Sequence, residues 1–347
     1  MGPVVPLLAL ADQVRHLDPT IRFVWVGTSN GPEKELVEKY KIDFYTITAG
    51  KWRRYFSLWN IVDLFRITFA FLHSVVFLWQ EKPDLLISAG GFVSVPLHWA
   101  AAVMGIPTWV HQQDAETGLA NRLMAKVATK ITTAMEASVK DFPTKKTEWL
   151  GNPCRDLTAD KAEAKIRWGI PADAPVIFVT GGGTGSLKVN QMILEALPSW
   201  PKEWHVLHLT GKERSSELNE RAATVFSNYH VFRFFTDEMK DAYAAADVVI
   251  ARGGFGTLTE LAALHRASVI IPISHTHQEK NVGWLEKNKA VIVMNEETDN
   301  GLKLAKVAAD VVQNPEEAKR MGNILNDLLP RAKPHRIIEI IEALTKK

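Results

Sequence analysis

Residues 176–186 read VIFVTGGGTGS, an apolar run that passes directly into a glycine-rich turn. Residues 248–257 repeat this arrangement with the letters VVIARGGFGT. Short apolar runs that end in such turns are typical of buried parallel strands that lead into helices. In α/β proteins, nucleotides and phosphates bind at the carboxyl ends of these strands. The two stretches therefore predict an α/β fold with a ligand site beside the turns.

The chemistry of the turns favours an anionic ligand. Glycines remove the side chains that would keep such a ligand from the backbone, and the next helix supplies N–H donors and a favourable dipole. The first turn lacks the Gly-Lys-Ser/Thr ending of a P-loop, and Ser186 stands where a dinucleotide-binding fold has its third glycine, which disfavours an ATPase or a dehydrogenase. Two turns, followed by Glu260, Gln278 and Asn281, favour a nucleotide site over a purely structural bend.

Composition sets outer limits on the protein class. With 347 residues, of which 46% are hydrophobic, the chain is long enough for two globular domains. The single cysteine, Cys154, excludes a disulfide framework or a cysteine metal cluster, and no signal peptide opens the chain. We therefore expect the protein to reside in a reducing cytoplasm. A net charge of only +2 argues against nucleic acid as a partner.

Short apolar runs alternate with amphipathic segments along the whole chain, which predicts parallel sheets covered by helices. The expected strands are 23–26, 44–47, 85–88, 108–110 and 130–133, then 176–180, 206–210, 231–234, 248–251, 269–272 and 291–294. Gly151 and Pro153 mark a break after the first group. We expect two doubly wound domains facing each other across a cleft, residues 1–152 and 153–330, with a helix in 331–347 that returns to the first.

The beginning of the sequence departs from this pattern. A helix is predicted to start directly after Pro3. A doubly wound domain normally has a strand before its first helix, in the middle of the sheet. We therefore expect either a misplaced start or a gap in the N-terminal sheet.

Hydrophobicity peaks at residues 61–79, IVDLFRITFAFLHSVVFLW. Asp63 and Arg66 interrupt this run, and the uncharged remainder is too short to span a bilayer. Basic and aromatic residues alternate just before it, in 51–56, as they do in segments that rest at lipid headgroups. We interpret the surface from Trp52 to Trp79 as a membrane-docking face, and the alternative is a core helix preceded by a basic loop.

Several motifs together resemble one family, the MurG-type glycosyltransferases. They are SAGGFVSVP at 88–96, HQQD at 111–114, GLAN at 118–121, GNPCR at 151–155 and the two glycine turns. The resemblance runs from Gly2 nearly to the C-terminus. It implies a GT-B fold of two Rossmann-like domains, and an inverting transfer of N-acetylglucosamine from UDP-N-acetylglucosamine to undecaprenyl-linked lipid I, which gives lipid II for peptidoglycan. It also implies a peripheral position on the cytoplasmic face of the bacterial plasma membrane.

The resemblance assigns donor binding to the C-terminal domain. It implies that Glu260 binds the ribose hydroxyls, a pairing that charge-assisted hydrogen bonds favour. The phosphates would lie at Gly182, Gly183 and Thr184, the uracil near Thr236 and Met239, and the sugar hydroxyls at Gln278 and Asn281, with Arg155 reaching across the cleft. The expected donor set also contains Asn190, Gly254, Phe255, Gly256 and Thr257. The structural alternatives are that Arg155 only begins a helix and that Gln278 is a solvated first-turn residue.

The acceptor is assigned to the N-terminal domain. Ala89, Gly90 and Gly91 would cradle its diphosphate with backbone amides, and Phe92 and Asn121 complete the expected acceptor set. The sequence departs from the family here. The family has His-Glu-Gln-Asn where this chain has HQQD at 111–114, and it has a Gly-Gly-His loop where this chain has residues 1–3.

Catalysis would then be a single displacement with inversion of configuration, assisted by a general base. The candidate bases are His111 and Asp114, both expected just past a strand that ends at Val110 and therefore facing the cleft. The chain contains no Asp-x-Asp pair, so we expect neither a metal nor another cofactor. The turn at Gly253 and Gly254, with the dipole of the following helix, would meet the charge on the leaving group.

Three alternatives stay open. The first is a related transferase that passes a UDP-sugar to diacylglycerol or another polyprenyl acceptor. The second is a UDP-N-acetylglucosamine 2-epimerase, which shares the two-domain plan but needs no membrane face. The third is a nucleotide-sugar binding protein without turnover, because the first strand and its histidine are absent.

Overall fold

A computed structural model describes residues 2–28, 31, 33–47 and 59–346, with the side chains of 59–67 excepted. Its contacts divide the chain into two units, Met1–Arg155 with Arg331–Lys347, and Asp156–Pro330. The chain therefore leaves the first unit once and returns to it at the C-terminus. The expected roles of the two parts, acceptor and donor binding, stay predictions.

The first unit alternates helices and strands in the order that the sequence predicts. Its elements are α1 (Val4–Leu17), β1 (Val24–Gly27), α2 (Glu33–Lys39), β2 (Asp43–Thr46), α3 (Trp59–Glu81), β3 (Leu86–Ser88), α4 (Ser94–Val103), β4 (Thr108–Gln112), α5 (Leu119–Ala125), β5 (Lys130–Thr133), 3-10 turns at Glu136–Asp141 and Thr144–Lys146, and β6 (Thr147–Trp149).

All strand pairs in this unit are parallel, but they form two separate sheets. One contains β1 and β2, and the other has the order β3-β4-β5-β6. Within the described residues, β1 and β3 are not hydrogen-bonded to each other. The sequence predicts either such a gap in the N-terminal sheet or a misplaced start. The two sheets still share an apolar layer, because Val26 and Leu86 pack against the same cluster around Leu97.

The second unit is built on one six-stranded parallel sheet of order β12-β11-β10-β7-β8-β9. Its elements are α6 (Lys161–Arg167), β7 (Val176–Thr180), α7 (Leu187–Ala196), a 3-10 turn at Leu197–Ser199, β8 (His205–Leu209), α8 (Glu217–Ala223), β9 (Tyr229–Phe232), α9 (Met239–Ala245), β10 (Val248–Ala251), α10 (Phe255–Ala263), β11 (Ser268–Ile270), α11 (His277–Lys287), β12 (Ile292–Val293), α12 (Gly301–Gln313) and α13 (Pro315–Leu328).

The strand order of this sheet reverses at β7. The chain runs from β7 to β8 and β9 on one side, and then places β10, β11 and β12 on the other. Every residue of β7 and β10 is buried, as expected for central strands covered by helices on both faces. The neighbours β7 and β10 therefore form the switch point at which α/β sheets bind ligands.

The C-terminal helix α14 (Pro334–Thr345) belongs to the first unit. Ile337 and Ile340 join Leu10, Val14 and Trp109 in one buried cluster. Arg336 donates to the carboxylate of Glu148 on β6 from both Nε, at 3.0 Å, and Nη2, at 2.8 Å. The last helix thereby completes the core that the first helix begins.

Helix α3 has one buried and one exposed apolar face over its described side chains. Ala70, Ser74 and Leu78 are buried. Phe69, Leu72, Val76 and Trp79 are between 51% and 67% exposed. No helix among the described residues is long and apolar enough to cross a membrane. The predicted basic and aromatic stretch at 51–56 lies outside the described residues.

Candidate active site

The two glycine turns meet at the switch point of the second sheet. Strands β7 and β10 are paired in parallel with Thr180 opposite Ala251. Gly181 and Arg252 therefore begin the two turns side by side. The sequence predicts each turn separately, and the sheet register joins them into one site.

The first turn is packed on one side and open on the other. A Cβ on Gly185 would lie 2.2 Å from the carbonyl oxygen of Thr210, and Gly185 has a φ of +82°. No side chain is therefore tolerated there without strain. Around Gly182 and Gly183, by contrast, nothing lies within 4 Å of an added Cβ. The expected phosphate-binding residues thus face open space.

The Arg252 side chain links the first glycine turn to the second by hydrogen bonds. Its Nη2 donates to Ser186 Oγ at 2.6 Å and to Glu296 Oε2 at 2.6 Å, and its Nη1 donates to the carbonyl oxygens of Ile271 and Pro272. Burial alone would raise the pKa of Glu296, but the N–H of Ser274 and the guanidinium of Arg252 bring it below its ordinary value. Sequence reasoning missed Arg252, although its place between a strand and a glycine turn is a usable signal.

Helix α10 starts directly at the second turn. Gly254 is its N-cap residue, and an added Cβ there would meet nothing within 4 Å. Phe255 is buried, whereas Gly256 and Thr257 are half-buried. The helix thus points its free N–H groups and positive dipole end at the space beside the turn. That arrangement suits a diphosphate.

Two more expected donor residues lie on α11. This helix packs closely on the second turn, because a Cβ on Gly253 would be 2.8 Å from Val282 and 3.4 Å from the Cβ of Gln278. The Oε1 atom of Gln278 accepts from the backbone N–H of Ile273 at 3.1 Å. Asn281 is only 1% exposed. Gln278 is half-buried, and its hydrogen bond to Ile273 fixes the side-chain amide.

Glu260 lies on α10 and is only 8% exposed. Its Oε2 accepts a hydrogen bond from the hydroxyl of Tyr243 at 3.0 Å. A carboxylate can accept hydrogen bonds from a ligand with hydroxyl groups.

The expected uracil neighbours follow the outer strand β9. Thr236 is exposed, and Met239, the first residue of α9, is half-buried. Phe235, just before them, is buried against Trp168 and Phe232. Arg155, by contrast, belongs to the first unit.

The side chain of Asn190 is buried, and both its amide nitrogen and its amide oxygen have hydrogen-bond partners within the core. Its Nδ2 donates to the carbonyl oxygen of Thr210 at 3.1 Å, and its Oδ1 lies 3.1 Å from Nε2 of His208. Since this oxygen can only accept, the His208 proton is on Nε2 and its Nδ1 accepts from the hydroxyl of Tyr229 at 2.7 Å. Burial lowers the pKa of His208 to about 3, so the ring is neutral. Asn190 thus supports the Thr210 segment, against which Gly185 packs.

The expected acceptor residues of the first unit also come together. Gly90 and Gly91 follow β3 with φ values of +117° and +96°. The N–H of Gly90 donates to Ser88 Oγ, and a Cβ on Gly90 would lie 3.4 Å from Asn121 Oδ1. Ala89 is buried and Phe92 is 41% exposed. Backbone amides in such a turn suit an anionic group.

The predicted position of His111 is wrong. Strand β4 continues to Gln112, so His111 lies inside the strand and is 1% exposed. Its Nδ1 is 2.8 Å from Thr132 Oγ1, and its Nε2 is 2.9 Å from Asn152 Oδ1. Burial lowers the pKa of this imidazole to about 4. Asp114 does lie past the strand end and is half-buried.

Comparison with known proteins agrees with this geometry. The family model of the glycosyltransferase family 28 C-terminal domain matches residues 176–331, and that of the family 28 N-terminal domain matches residues 1–133. A Clostridium perfringens protein named UDP-N-acetylglucosamine--N-acetylmuramyl-(pentapeptide) pyrophosphoryl-undecaprenol N-acetylglucosamine transferase is 32% identical over 94% of both chains. The Bacillus subtilis protein of the same name is 30% identical over 99% of this chain and 97% of its own.

Solved structures show the same fold. The crystal structure of Acinetobacter baumannii MurG superposes with a TM-score of 0.78 at 23% identity, covering 99% of this chain and 96% of that chain. The UDP-GlcNAc 2-epimerase of Neisseria meningitidis, bound to UDP-GlcNAc, gives 0.69 at 14% identity over 98% and 97%.

The two-unit parallel-sheet architecture is a GT-B fold, and the family models and named relatives show that the chain is a hexosyltransferase of this fold. Within that class, the chain belongs to glycosyltransferase family 28.

Proposed function

We propose that this chain transfers N-acetylglucosamine from UDP-N-acetylglucosamine to undecaprenyl-linked lipid I and so forms lipid II for peptidoglycan. The observation that carries the proposal is the pair of neighbouring glycine turns at the β7 and β10 switch point, each with an open side, together with the buried carboxylate of Glu260 on the helix that follows the second turn. They occur in a chain that is 32% identical, over nearly its whole length, to a transferase named for this reaction.

Donor binding would use the groups that the second unit brings together. The diphosphate would lie against the open side of the first turn at Gly182 and Gly183 and against the N-terminus of α10, the ribose against Glu260, and the sugar against Gln278 and Asn281. The packed side of the first turn, at Gly185, keeps this turn in place. Preorganised N–H donors stabilise charge without reorganising during the reaction.

The reaction would be a direct displacement. The acceptor hydroxyl loses its proton to a base while its oxygen bonds to the anomeric carbon of the donor. The bond from that carbon to the UDP oxygen breaks with its electron pair, so configuration inverts. The N-terminus of α10 would then stabilise the additional negative charge on the UDP leaving group.

Of the two candidate bases, the structure favours Asp114. Both ring nitrogens of His111 already have partners, and the ring is almost completely buried. Asp114 lies two residues past the strand and is only half-buried. We expect Asp114→Asn to lower kcat by at least about a hundredfold. A larger loss in His111→Gln, with the fold intact, would instead assign the base to His111.

The lipid-linked acceptor calls for contact with a bilayer. The exposed α3 face of Phe69, Leu72, Val76 and Trp79 repeats at helical spacing and is suited to rest in the headgroup region. We therefore extend the proposal to a peripheral position on the cytoplasmic face of the bacterial plasma membrane. The predicted contribution of Trp52 and its basic neighbours lies outside the described residues.

The deciding experiment is transfer of labelled N-acetylglucosamine from its UDP donor to a lipid I analogue, with diacylglycerol as a second acceptor and Glu260→Ala as control. Product from lipid I alone supports the proposal. Product from diacylglycerol alone would identify the related lipid transferase. UDP binding without transfer to either would identify a binding protein, and epimerised UDP-sugar would identify a 2-epimerase.

A further inference from the structure

A lysine outside the expected donor set lies beside the first glycine turn. Lys212 belongs to the loop that joins β8 to α8. The strands β7, β8 and β9 end side by side, because Thr180 is paired with Leu209 and Leu209 with Phe232. The loop after β8 therefore leaves the sheet between the first glycine turn and the segment that follows β9.

The backbone of Lys212 is fixed against that turn. Its N–H donates to the carbonyl oxygen of Gly183 at 3.5 Å, and its carbonyl oxygen accepts from Nη2 of Arg233 at 2.8 Å. The preceding residue, Gly211, has a φ of +100°, and a Cβ there would lie 2.2 Å from the Cα of Gly185. Lys212 is thus held next to the side of the turn that is open at Gly183.

The side chain of Lys212 is exposed and rests on an aromatic ring. Its Nζ lies 4.0 Å from the ring centroid of Phe234, which is 40% exposed and follows β9 by two residues. Among the residues that the structure describes, Lys212 forms no ion pair with a carboxylate. Since a cation–π contact at an exposed site is weak, the ammonium group can leave the ring at little cost.

We propose that Lys212 is a binding residue for the donor diphosphate, and that its ammonium group moves from the Phe234 ring to the phosphates when the nucleotide binds. This inference rests on the proposed function, because it takes the open side of the first turn at Gly182 and Gly183 as the diphosphate site.

The physical reason is the difference between the two contacts of the ammonium group. Lysine carries a compact charge with three donors on a flexible four-carbon stem, so its head group can change partner while the backbone of Lys212 stays in place. A charge-assisted hydrogen bond to a phosphate is stronger than the exposed contact with the Phe234 ring. The lysine therefore adds affinity for the phosphates and none for the nucleoside.

Equilibrium dialysis of the full chain with labelled UDP and with labelled uridine tests this inference. We expect the wild type to bind UDP at least about a hundredfold more tightly than uridine. Lys212→Met keeps a long stem and removes the charge, so UDP affinity should fall about tenfold while uridine affinity changes less than about twofold. Lys212→Arg keeps the charge and should retain UDP affinity within about threefold.

Two further variants separate a phosphate contact from a structural role of the pair. Phe234→Leu removes the resting place of the ammonium group, so the ratio of UDP to uridine affinity should stay the same or rise by up to about threefold. Lys319→Met removes the same charge from an exposed position on α13 and should leave the ratio as in the wild type.

The outcomes distinguish this inference from the proposed function. An unchanged ratio in Lys212→Met, an equal loss of UDP and uridine affinity, or the same fall of the ratio in Phe234→Leu or Lys319→Met would overturn the role of Lys212. A wild type that does not bind UDP would overturn both proposals. A chain that shows the expected ratios but transfers no sugar would overturn only the proposed function.

Discussion

The Nη2 atom of Arg252 lies 2.6 Å from the Oγ atom of Ser186, so the residue that opens the second glycine turn holds the residue that closes the first. Ser186 also caps helix α7, since its Oγ accepts from the N–H of Val189 at 3.3 Å. The same guanidinium pairs with Glu296. The two turns are therefore held together by a side-chain hydrogen bond.

Removing this guanidinium should destabilise the second unit. We expect Arg252→Met to lower the free energy of unfolding by about 3 kcal/mol, because Glu296 loses its cation while its carboxylate stays largely buried. Urea denaturation measures this change. Arg320→Met, which breaks the exposed pair with Glu317, should cost less than about 1 kcal/mol. Equal losses in the two variants would contradict a structural role for Arg252.

Buried neutral histidines should make the protein sensitive to acid. The pKa of His111 is lowered to about 4, against 6.5 for an exposed ring, because burial penalises the charged form. The unfolded state therefore takes up the proton first as pH falls. The contribution of His111 to stability is complete above pH 6.5 and decreases by up to about 3 kcal/mol as pH approaches 4.

This prediction is checked by urea denaturation at a series of pH values. His111→Gln should flatten the dependence of unfolding free energy on pH between 6.5 and 4. His16→Gln, a change at a largely exposed histidine, should leave the slope as in the wild type. A wild-type slope in His111→Gln would show that the ring already takes up its proton in the folded state.

The two sides of the first glycine turn should respond differently to a methyl group. Gly185→Ala would bring its Cβ within 2.2 Å of the carbonyl oxygen of Thr210, at a φ of +82°, and should lower stability by about 3 kcal/mol. Gly183→Ala meets nothing within 4 Å, so stability should change by less than about 0.5 kcal/mol. It should weaken UDP binding about tenfold by blocking an amide. Stability and UDP affinity falling together in both variants would argue against an open phosphate side.

The exposed face of α3 should carry lipid binding. Replacing Leu72 and Val76 with serine removes apolar area that is now 56% and 51% exposed, and should reduce flotation with anionic vesicles at least tenfold. The matched control replaces Ile166 and Leu218, which are 76% and 65% exposed in the second unit. Equal losses from both pairs would mean that binding reflects general hydrophobicity and not this face.

The parallel strands and glycine turns could be predicted because buried strands read as apolar runs and turns read as glycine. The position at which β4 ends could not be predicted in this way. Its last residues, His111 and Gln112, are polar, and they belong to the strand because they pair with Thr132 and Thr133 of β5. Hydrophobicity stops at Val110, whereas the backbone ladder continues.

The contacts that organise the predicted donor site could not be predicted from the sequence. Arg252 and Ser186 are 66 residues apart, and Tyr243 and Glu260 are 17 apart. Each pair depends on which strands and helices become neighbours in the folded sheet. Residue types alone do not carry that information, and the roles of Glu260, Gln278 and Asn281 stay predictions.

The return of α14 to the first unit has a consequence for biosynthesis. Leu10 and Trp109 are synthesised early, but Ile337 and Ile340, which complete their cluster, are synthesised about 230 residues or more later. The continuous second unit, Asp156–Pro330, is fully synthesised before them. The second unit is therefore able to fold before the first, while the nascent N-terminal part keeps an incomplete apolar cluster until α14 has been synthesised.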